Sequence, residues 1–368
     1  MTIPVENVVM LLGAAQGALI GSIIVQKHSA LYANRFLALM MFAIAAVLMH
    51  MVLVDLDLYG SFGFLLPVIL SLAVAVTPLH FLYAKFLMHR SERWHMRDAI
   101  HFIPFVVCLV AGLLIQSEFA SNRNFFAEQR PINQYPVEFL LFNWVIIVQG
   151  LSYMAVVLVR IRSYEREIKN VFSDIENIRL RWLRNITLLA ATAWSSFLIE
   201  HTLFSLGINV SNFMISSILI AMYLFTLGYL GMLKSEVLEV SLPESVPEVS
   251  QPDSVPVPES TTVEEAPVEE QEPEVAAGDA SPKYEKSGLS EEAAKHYKKM
   301  ILEVMEREKP YRTSDLTLPQ LAELVRISPH NLSEVINSQL GKTFYDLINE
   351  SRIGEVKQAL ADPARKNL

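Results

Sequence analysis

The chain has 368 residues, of which 52% are hydrophobic and only 19% charged, and this composition excludes a single ordinary soluble domain. Its formal charge of −9 is unevenly distributed. Residues 1–240 include 16 basic and 15 acidic residues, and residues 283–368 include 14 basic and 13 acidic residues. Residues 241–282 include 11 acidic residues and no basic residue. We therefore expect an apolar region at 1–240, a linker at 241–287 and a C-terminal domain at 288–368.

Seven apolar stretches follow one another in the first region. A helix needs roughly 20 mostly apolar residues to cross about 30 Å of hydrocarbon. The stretches are Val8–Val25, Phe36–Val54, Phe64–Met88, Phe102–Gln116, Phe139–Val159, Ile186–Leu206 and Phe213–Met232. They predict an all-α protein whose first region is a bundle of seven transmembrane helices.

The loops between these stretches predict their orientation, because cytoplasmic loops are enriched in Lys and Arg. With the N-terminus outside, the outer loops hold only Arg123 and Arg130. The inner loops and helix ends hold thirteen basic residues, namely Lys27, Arg35, Arg90, Arg93, Arg97, Arg160, Arg162, Arg166, Lys169, Arg179, Arg181, Arg184 and Lys234. This bias predicts a multi-pass protein of the cell's inner (plasma) membrane with a cytoplasmic C-terminal domain.

Four polar residues in the outer halves of the predicted helices are candidates for a signal pocket, since ionisable groups in a bilayer are costly. They are Glu200, His201, His50 and Asn143. Hydrogen bonding to a neighbouring helix is the alternative for each of them. His80 and Gln149 lie deeper, and we expect them to form hydrogen bonds between helices.

The first predicted helix carries Gly13, Gly17 and Gly21, two overlapping G-x-x-x-G spacings that permit close helix approach. Packing within the bundle is favoured, and formation of a homodimer is the alternative.

The loop Arg160–Asn185 is basic but also has apolar residues at helical spacing, which favours a helix lying on the inner membrane surface. The alternative is that this loop passes motion to the C-terminal domain. Its apolar positions are Ile168, Val171, Phe172, Ile175, Ile178 and Trp182.

The linker has eight prolines, eleven acidic residues and no basic residue between Ser241 and Pro282. A segment of this composition cannot form a packed core, so we expect it to be disordered and extended.

The C-terminal domain shows three successive helix signals. Ser290 is a predicted cap for a first helix that ends before Pro310. Thr317-Leu-Pro-Gln320 has the pattern of a capping box for a second helix, and Ser328-Pro329 begins a third that ends near Gly341. Two short helices joined by a tight turn predict a helix-turn-helix.

This segment resembles the first half of the AraC-family DNA-binding domain. The resemblance rests on Leu318-Pro-Gln-Leu-Ala-Glu-Leu-Val-Arg-Ile-Ser-Pro-His-Asn-Leu-Ser-Glu-Val-Ile-Asn337, on Leu340-Gly-Lys-Thr-Phe344 and on Leu347-Ile-Asn-Glu-Ser-Arg-Ile353. The whole layout is similar to membrane-bound AraC-type regulators with a seven-helix sensor. Family members carry a second helix-turn-helix, and we expect this domain to be truncated before it, since the sequence stops at Leu368.

The resemblance implies that Ser328–Gln339 is a recognition helix that enters the major groove of DNA. Residues predicted to reach base edges are His330, Asn331, Ser333, Glu334 and Asn337. Lys342, Thr343 and Arg352 are predicted to contact phosphates. The charge of only +1 for residues 283–368 is low for such a domain.

These patterns predict a membrane-tethered transcription regulator whose partners are DNA, membrane lipid and an unidentified small-molecule or membrane signal. The alternative is a transporter or ligand receptor whose C-terminal domain is a protein-interaction module. The lone Cys108 excludes a cysteine-based metal site, and we found no motif typical of an enzyme. We therefore expect no catalysis, no cofactor and no metal.

Overall fold

The computed structural model describes residues 4–26, 32–56, 65–89, 92–114, 137–176, 178–206, 208, 214–241 and 289–361. The regular elements in these ranges are helices, apart from one isolated β-bridge. The predicted all-α class is therefore confirmed for the described part of the chain. The linker and the predicted outer loop that holds Arg123 and Arg130 lie outside the described residues.

The chain divides into two compact units. The first consists of Met1–Arg166 and Glu176–Glu244, and the second of Glu167–Ile175 and Ser245–Leu368. The short segment 167–175 thus belongs to the second unit although the sequence places it in the membrane region.

The described helices of the first unit follow the apolar stretches in order. They are α1 (Val5–Gln26), α2 (Tyr32–Asp55), α3 (Leu66–Met88), a 3-10 helix (Met96–Phe102), α4 (Ile103–Leu114), α5 (Val137–Val171), α6 (Arg181–Ser205) and α7 (Met214–Ser241). The last residues of α5 already belong to the second unit.

Within the described ranges, five helical stretches are long and apolar enough to cross a membrane, which gives the chain the character of a membrane protein. They are Asn7–Gln26, Tyr32–Leu53, Pro67–Met88, Met96–Leu114 and Leu141–Val171. Helix α7 contributes a shorter apolar stretch, Ile215–Gly231. Helix α6 is less apolar because it begins with Arg181 and carries Glu200 and His201 near its end.

The glycines of α1 face the inside of the first unit. A Cβ atom added at Gly17 would lie 3.1 Å from the carbonyl oxygen of Met41 and 3.2 Å from a methyl group of Leu224. Because these neighbours belong to α2 and α7, the glycine stripe allows close packing within the bundle, as the sequence favoured.

His80 and Gln149 form hydrogen bonds between helices, as expected. The two ring nitrogens of His80 lie 3.1 Å from Thr187 Oγ1 and 2.7 Å from Tyr223 Oη. Gln149 Nε2 donates to the carbonyl oxygen of Val74 at 2.8 Å. A fully buried His80 is tolerated because polar groups face both of its nitrogens.

The prediction that residues 160–171 belong to a loop after the fifth helix is wrong. Helix α5 continues without a break to Val171, and a non-helical bend precedes α6 at Arg181. The physical reason is that residues 160–171 retain helical spacing of apolar residues, so the helix has no cause to end where the hydropathy falls. Ile168 and Val171 are buried.

The second unit contains the C-terminal helices. They are α8 (Glu291–Arg307), a 3-10 helix (Pro310–Arg312), α9 (Leu318–Val325), α10 (Pro329–Gln339) and α11 (Phe344–Ala361). The predicted caps are confirmed, since Ser290 Oγ accepts from the amide of Ala293 and Ser328 Oγ from that of Asn331, both at 3.2 Å. Each helix contributes apolar residues to one core, including Ile301, Leu321, Leu332, Val335, Phe344 and Ile348.

Candidate functional site

Helices α9 and α10 are joined by a three-residue turn. The capping box at the start of α9 is present, with the amide of Thr317 donating to Gln320 Oε1 at 2.8 Å. Arg326 ends α9 in the left-handed conformation at φ 60°, which reverses the chain so that Ser328 can cap α10. Short-range signals therefore position the two helices, and the buried Leu332 and Val335 hold them together.

The polar residues predicted to reach base edges share one side of α10. His330 and Asn337 are exposed, whereas Asn331, Ser333 and Glu334 are half-buried. Positions three, four and seven apart on a helix lie on one face. Asn337 Nδ2 donates to Ser333 Oγ at 3.3 Å, so the structure brings at least these two side chains together.

Lys342 and Thr343, predicted to contact phosphates, lie directly before α11. The Lys342 ammonium pairs with Glu350. Thr343 Oγ1 donates to Asp346 Oδ2 at 2.7 Å and accepts from the amide of Asp346 at 3.2 Å, which caps α11. Thr343 thus has a structural role that is independent of any ligand.

Arg352, the third residue predicted to contact phosphate, has a half-buried side chain directed at acceptors within its own unit. Its Nε donates to the carbonyl oxygen of Tyr311 at 2.6 Å. Its Nη2 donates to the carbonyl oxygens of Thr313 at 2.6 Å and Ser314 at 3.0 Å, and to Ser173 Oγ at 3.2 Å. A phosphate contact stays a prediction, and it would require Arg352 to give up some of these bonds.

A second ionic contact ties α11 to the residues before α9. Glu355 accepts from Lys309 Nζ at 3.0 Å and from Arg312 Nε at 3.0 Å. The hydrogen bonds from Arg312 and Lys309 lower the pKa of the Glu355 carboxyl group to about 2. This carboxylate therefore stays charged at every pH at which the protein is expected to function.

Glu200, a candidate for the signal pocket, caps a helix of the first unit. Its side chain is buried, and Oε1 accepts from the amides of Ile215 and Ser216, both at 3.1 Å. These amides belong to the first turn of α7, where backbone donors have no partner within the helix. The other oxygen, Oε2, is buried and makes no hydrogen bond with the described residues.

The other pocket candidates are also shielded from the surface. His50 and His201 are buried, and Asn143 is half-buried on α5. The His201 ring contacts Trp144 edge-on, with 5.4 Å between ring centroids. This contact brings the C-terminal part of α6 against the residue that follows Asn143.

An apolar groove in the first unit lies elsewhere. Its volume is about 750 Å³, and it is lined by apolar residues of α1 and α2 that include Leu12, Ala15 and Met49. None of the four candidate residues lines it.

Two interactions of the second unit had no signal in the sequence. Phe172 forms an antiparallel β-bridge with Thr317, and the amide of Asn349 donates to the carbonyl oxygen of Ser173 at 3.0 Å. The partners are more than 140 positions apart in the sequence. Hydrophobic spacing reports only on local structure, so it could not predict them.

Comparison with protein-family models gave no match, and no curated protein or solved structure matches the chain.

Proposed function

We propose that the chain is a membrane-tethered, DNA-binding transcription regulator of the AraC type. In this proposal seven helices cross the inner (plasma) membrane with the N-terminus outside, and the C-terminal helical domain reads promoter DNA in the cytoplasm. The proposal combines the membrane character of the first unit with the short helices of the second unit.

The geometry of α9, its turn and α10 carries the proposal. Two helices of eight and eleven residues meet through a turn with a left-handed residue, and the second begins at a side-chain cap. His330 and Asn337 remain solvent-exposed on that second helix while its opposite face is buried. This is the arrangement that a helix needs in order to enter a major groove from one side.

The proposed chemistry of recognition follows from the side chains. An amide such as that of Asn337 can donate to N7 of adenine and accept from its N6 amino group, and a carboxylate such as that of Glu334 can accept from the N4 amino group of cytosine. Lys342 would supply charge toward phosphate. The near-neutral charge of the domain makes base contacts more important here than the general attraction of DNA to a basic surface.

The proposed signal enters the membrane region near Glu200. Its Oε2 atom is a buried acceptor without a partner among the described residues, and a ligand donor could satisfy it. Because Glu200 holds the first turn of α7, a ligand at this carboxylate would act directly on the position of that helix.

A selection from randomised duplex DNA tests the proposed function. The full chain in lipid nanodiscs is incubated with the pool at low salt, and bound DNA is sequenced over several rounds. We expect one motif to be enriched. We expect Asn337→Ala to relax the preference at one base position, with a loss of about 1–3 kcal/mol of discrimination between the preferred base and the others.

The matched control is Gln358→Ala, which removes an exposed amide from α11. It should leave both affinity and motif unchanged. Recovery of no motif by the unsubstituted chain, or equal effects of the two alanine variants, would overturn the proposal.

The charge of the C-terminal domain favours a second candidate, a receptor or transporter whose C-terminal domain is a protein-interaction module. With 14 basic and 13 acidic residues, the segment 283–368 lacks the excess of positive charge that is typical of DNA-binding modules. Retention of one soluble protein by the full chain, abolished by His330→Ala in the absence of DNA binding, would support this candidate.

A further inference from the structure

The segment Glu167–Ile175, here named the docking segment, comprises the end of α5 and the bend that follows it. It forms one compact unit with the C-terminal helices, although more than 110 residues separate them along the chain. The first proposed function does not explain why this membrane-proximal segment packs with the domain that is proposed to read DNA.

Backbone hydrogen bonding holds one edge of the docking segment. Phe172 pairs with Thr317 in an antiparallel bridge, and the amide of Ser173 donates to the carbonyl oxygen of Leu316 at 3.2 Å. Thr317 is also the N-cap of α9. The segment therefore attaches at the point where α9 begins.

Side chains of α11 hold the other edge. Asn349 Nδ2 donates to the carbonyl oxygen of Ser173 at 3.0 Å, and Arg352 Nη2 donates to Ser173 Oγ at 3.2 Å. The Lys169 ammonium lies over the ring of Tyr345, 5.6 Å from its centroid. The backbone amide, the carbonyl and the hydroxyl of Ser173 thus all have partners in the C-terminal helices.

Burial shows that these contacts belong to a packed interface. Ser173, whose partners lie in the C-terminal domain, is only 1% exposed. A buried serine loses its hydration, and leaving its polar groups without partners would cost roughly 1–3 kcal/mol for each group. The partners on α11 and before α9 offset that cost.

We infer that Glu167–Ile175 is an intrachain docking site for the C-terminal helical domain, through which α5 rather than the acidic linker transmits a signal. Helix α5 is continuous from Val137 to Val171, so displacement of its membrane part moves the docking segment directly. The contacts fall on α11 and on the start of α9, while His330 and Asn337 on α10 stay exposed. Docking therefore leaves the proposed recognition face uncovered.

The regulatory meaning of this site rests on the proposed function, but its existence does not. Disulfide cross-linking of the full chain in native membranes tests it directly. In a Cys108→Ala background, Phe172→Cys is combined with Thr317→Cys, and a protease site is inserted in the linker. Paired residues of antiparallel strands have Cα atoms about 4.5–5.5 Å apart, within the range of about 4.4–6.8 Å that a disulfide spans.

We expect that, after mild oxidation and cleavage of the linker, most of the two fragments stay joined until a reductant is added. The control pair combines Phe172→Cys with Asn337→Cys on the exposed face of α10. Cross-linking of the test pair that does not exceed that of the control pair would overturn the inference.

Hydrogen exchange of the chain without cysteine substitutions provides a second measurement. Asn349→Asp removes the donor to Ser173, and we expect exchange of residues 172–175 to rise at least about tenfold, the equivalent of about 1.4 kcal/mol. Gln358→Glu makes the same chemical change at an exposed position of α11 and should have no effect there. Equal exchange in the two variants would overturn the inference, and neither measurement involves DNA.

Discussion

Arg352 connects three parts of the second unit through one guanidinium group. Its donors reach the carbonyl oxygens of Tyr311, Thr313 and Ser314 before α9, and the hydroxyl of Ser173. Arginine suits this position because its planar group presents several donors in fixed directions. A side chain with these contacts stabilises the fold whether or not DNA is present.

Replacement of Arg352 by lysine should therefore destabilise the C-terminal helices without any ligand. An ammonium group cannot satisfy three diverging carbonyl oxygens, and each lost bond to a charged group is worth roughly 1.5–3 kcal/mol. Hydrogen exchange of α9 and α10 amides in the full chain should increase at least about tenfold. Lys342→Ala, which removes one exposed ion pair with Glu350, should change exchange by less than about fivefold.

Glu200 gives a prediction of the same kind for the first unit. Glu200→Ala leaves the amides of Ile215 and Ser216 without their acceptor, which should lower stability by about 1–3 kcal/mol for the amide of the buried Ser216. Glu200→Gln keeps one carbonyl acceptor and should lose less. Thermal unfolding in detergent, followed by a dye that reacts with Cys108, measures the difference.

The control for Glu200 is Thr202→Ala on the same helix. Thr202 is exposed, and its hydroxyl bonds only the carbonyl oxygen of Leu198 one turn earlier among the described contacts. Its removal should scarcely change the unfolding temperature. A Glu200→Ala variant as stable as Thr202→Ala would show that the cap contributes nothing.

At the level of single elements, the C-terminal helices were predictable because their signals are local. Ser290, Thr317 and Ser328 each act on amides within three positions, and the structure places a helix start at each one. The end of α5 was not predictable from hydropathy. The apolar stretch ends at Val159, where a membrane-spanning segment would end, whereas the helix ends at Val171. The helix continues for these twelve residues because apolar residues keep their helical spacing beyond the end of the apolar stretch.

The attachment of α11 to the 3-10 helix before α9 should depend on pH through Glu355. A folded-state pKa of about 2 is below the usual carboxyl value of about 4.3, so the contribution to stability is complete above that usual value and is lost as the pH falls toward 2. In a Cys108→Ala background, the thiol of Ala322→Cys reports unfolding of α9 through its reaction with a pyridyl disulfide.

We expect labelling of that buried thiol to accelerate between about pH 4.5 and pH 2. Glu355→Gln should label faster at neutral pH and lose most of this acceleration, because glutamine has no charge to lose. An identical pH dependence in both proteins would mean that the pairs with Arg312 and Lys309 do not stabilise the helices.

For the whole molecule, contacts distant in sequence decide how the second unit is assembled. Ser173 and Asn349 are 176 positions apart, and neither occurs in a motif that indicates the other. The sequence therefore predicted the helices and their buried faces but not the docking segment. The four candidate pocket residues are costly in a bilayer, and Glu200 shows that a helix cap can offset part of that cost without a ligand.

The length of α5 also bears on the proposed topology. Its 35 residues extend about 52 Å at 1.5 Å per residue, more than the roughly 30 Å of hydrocarbon, so one end must project beyond the bilayer core. The basic residues Arg160, Arg162 and Arg166 lie toward its C-terminal end, which favours the cytoplasm for that end. The docking segment would then be on the same side as the C-terminal domain.

Protease protection in membrane vesicles tests this arrangement. A cleavage site inserted in the acidic linker should be cut in inside-out vesicles, and a site inserted between Arg123 and Arg130 should be cut only in right-side-out vesicles. The two insertions act as controls for each other. In each kind of vesicle, the site that stays uncut shows that the vesicles are sealed. The proposed fifth, sixth and seventh helices give three crossings between the two sites, which places the sites on opposite faces of the membrane. Cleavage of both sites from one face would require an even number of crossings and would contradict the proposed topology.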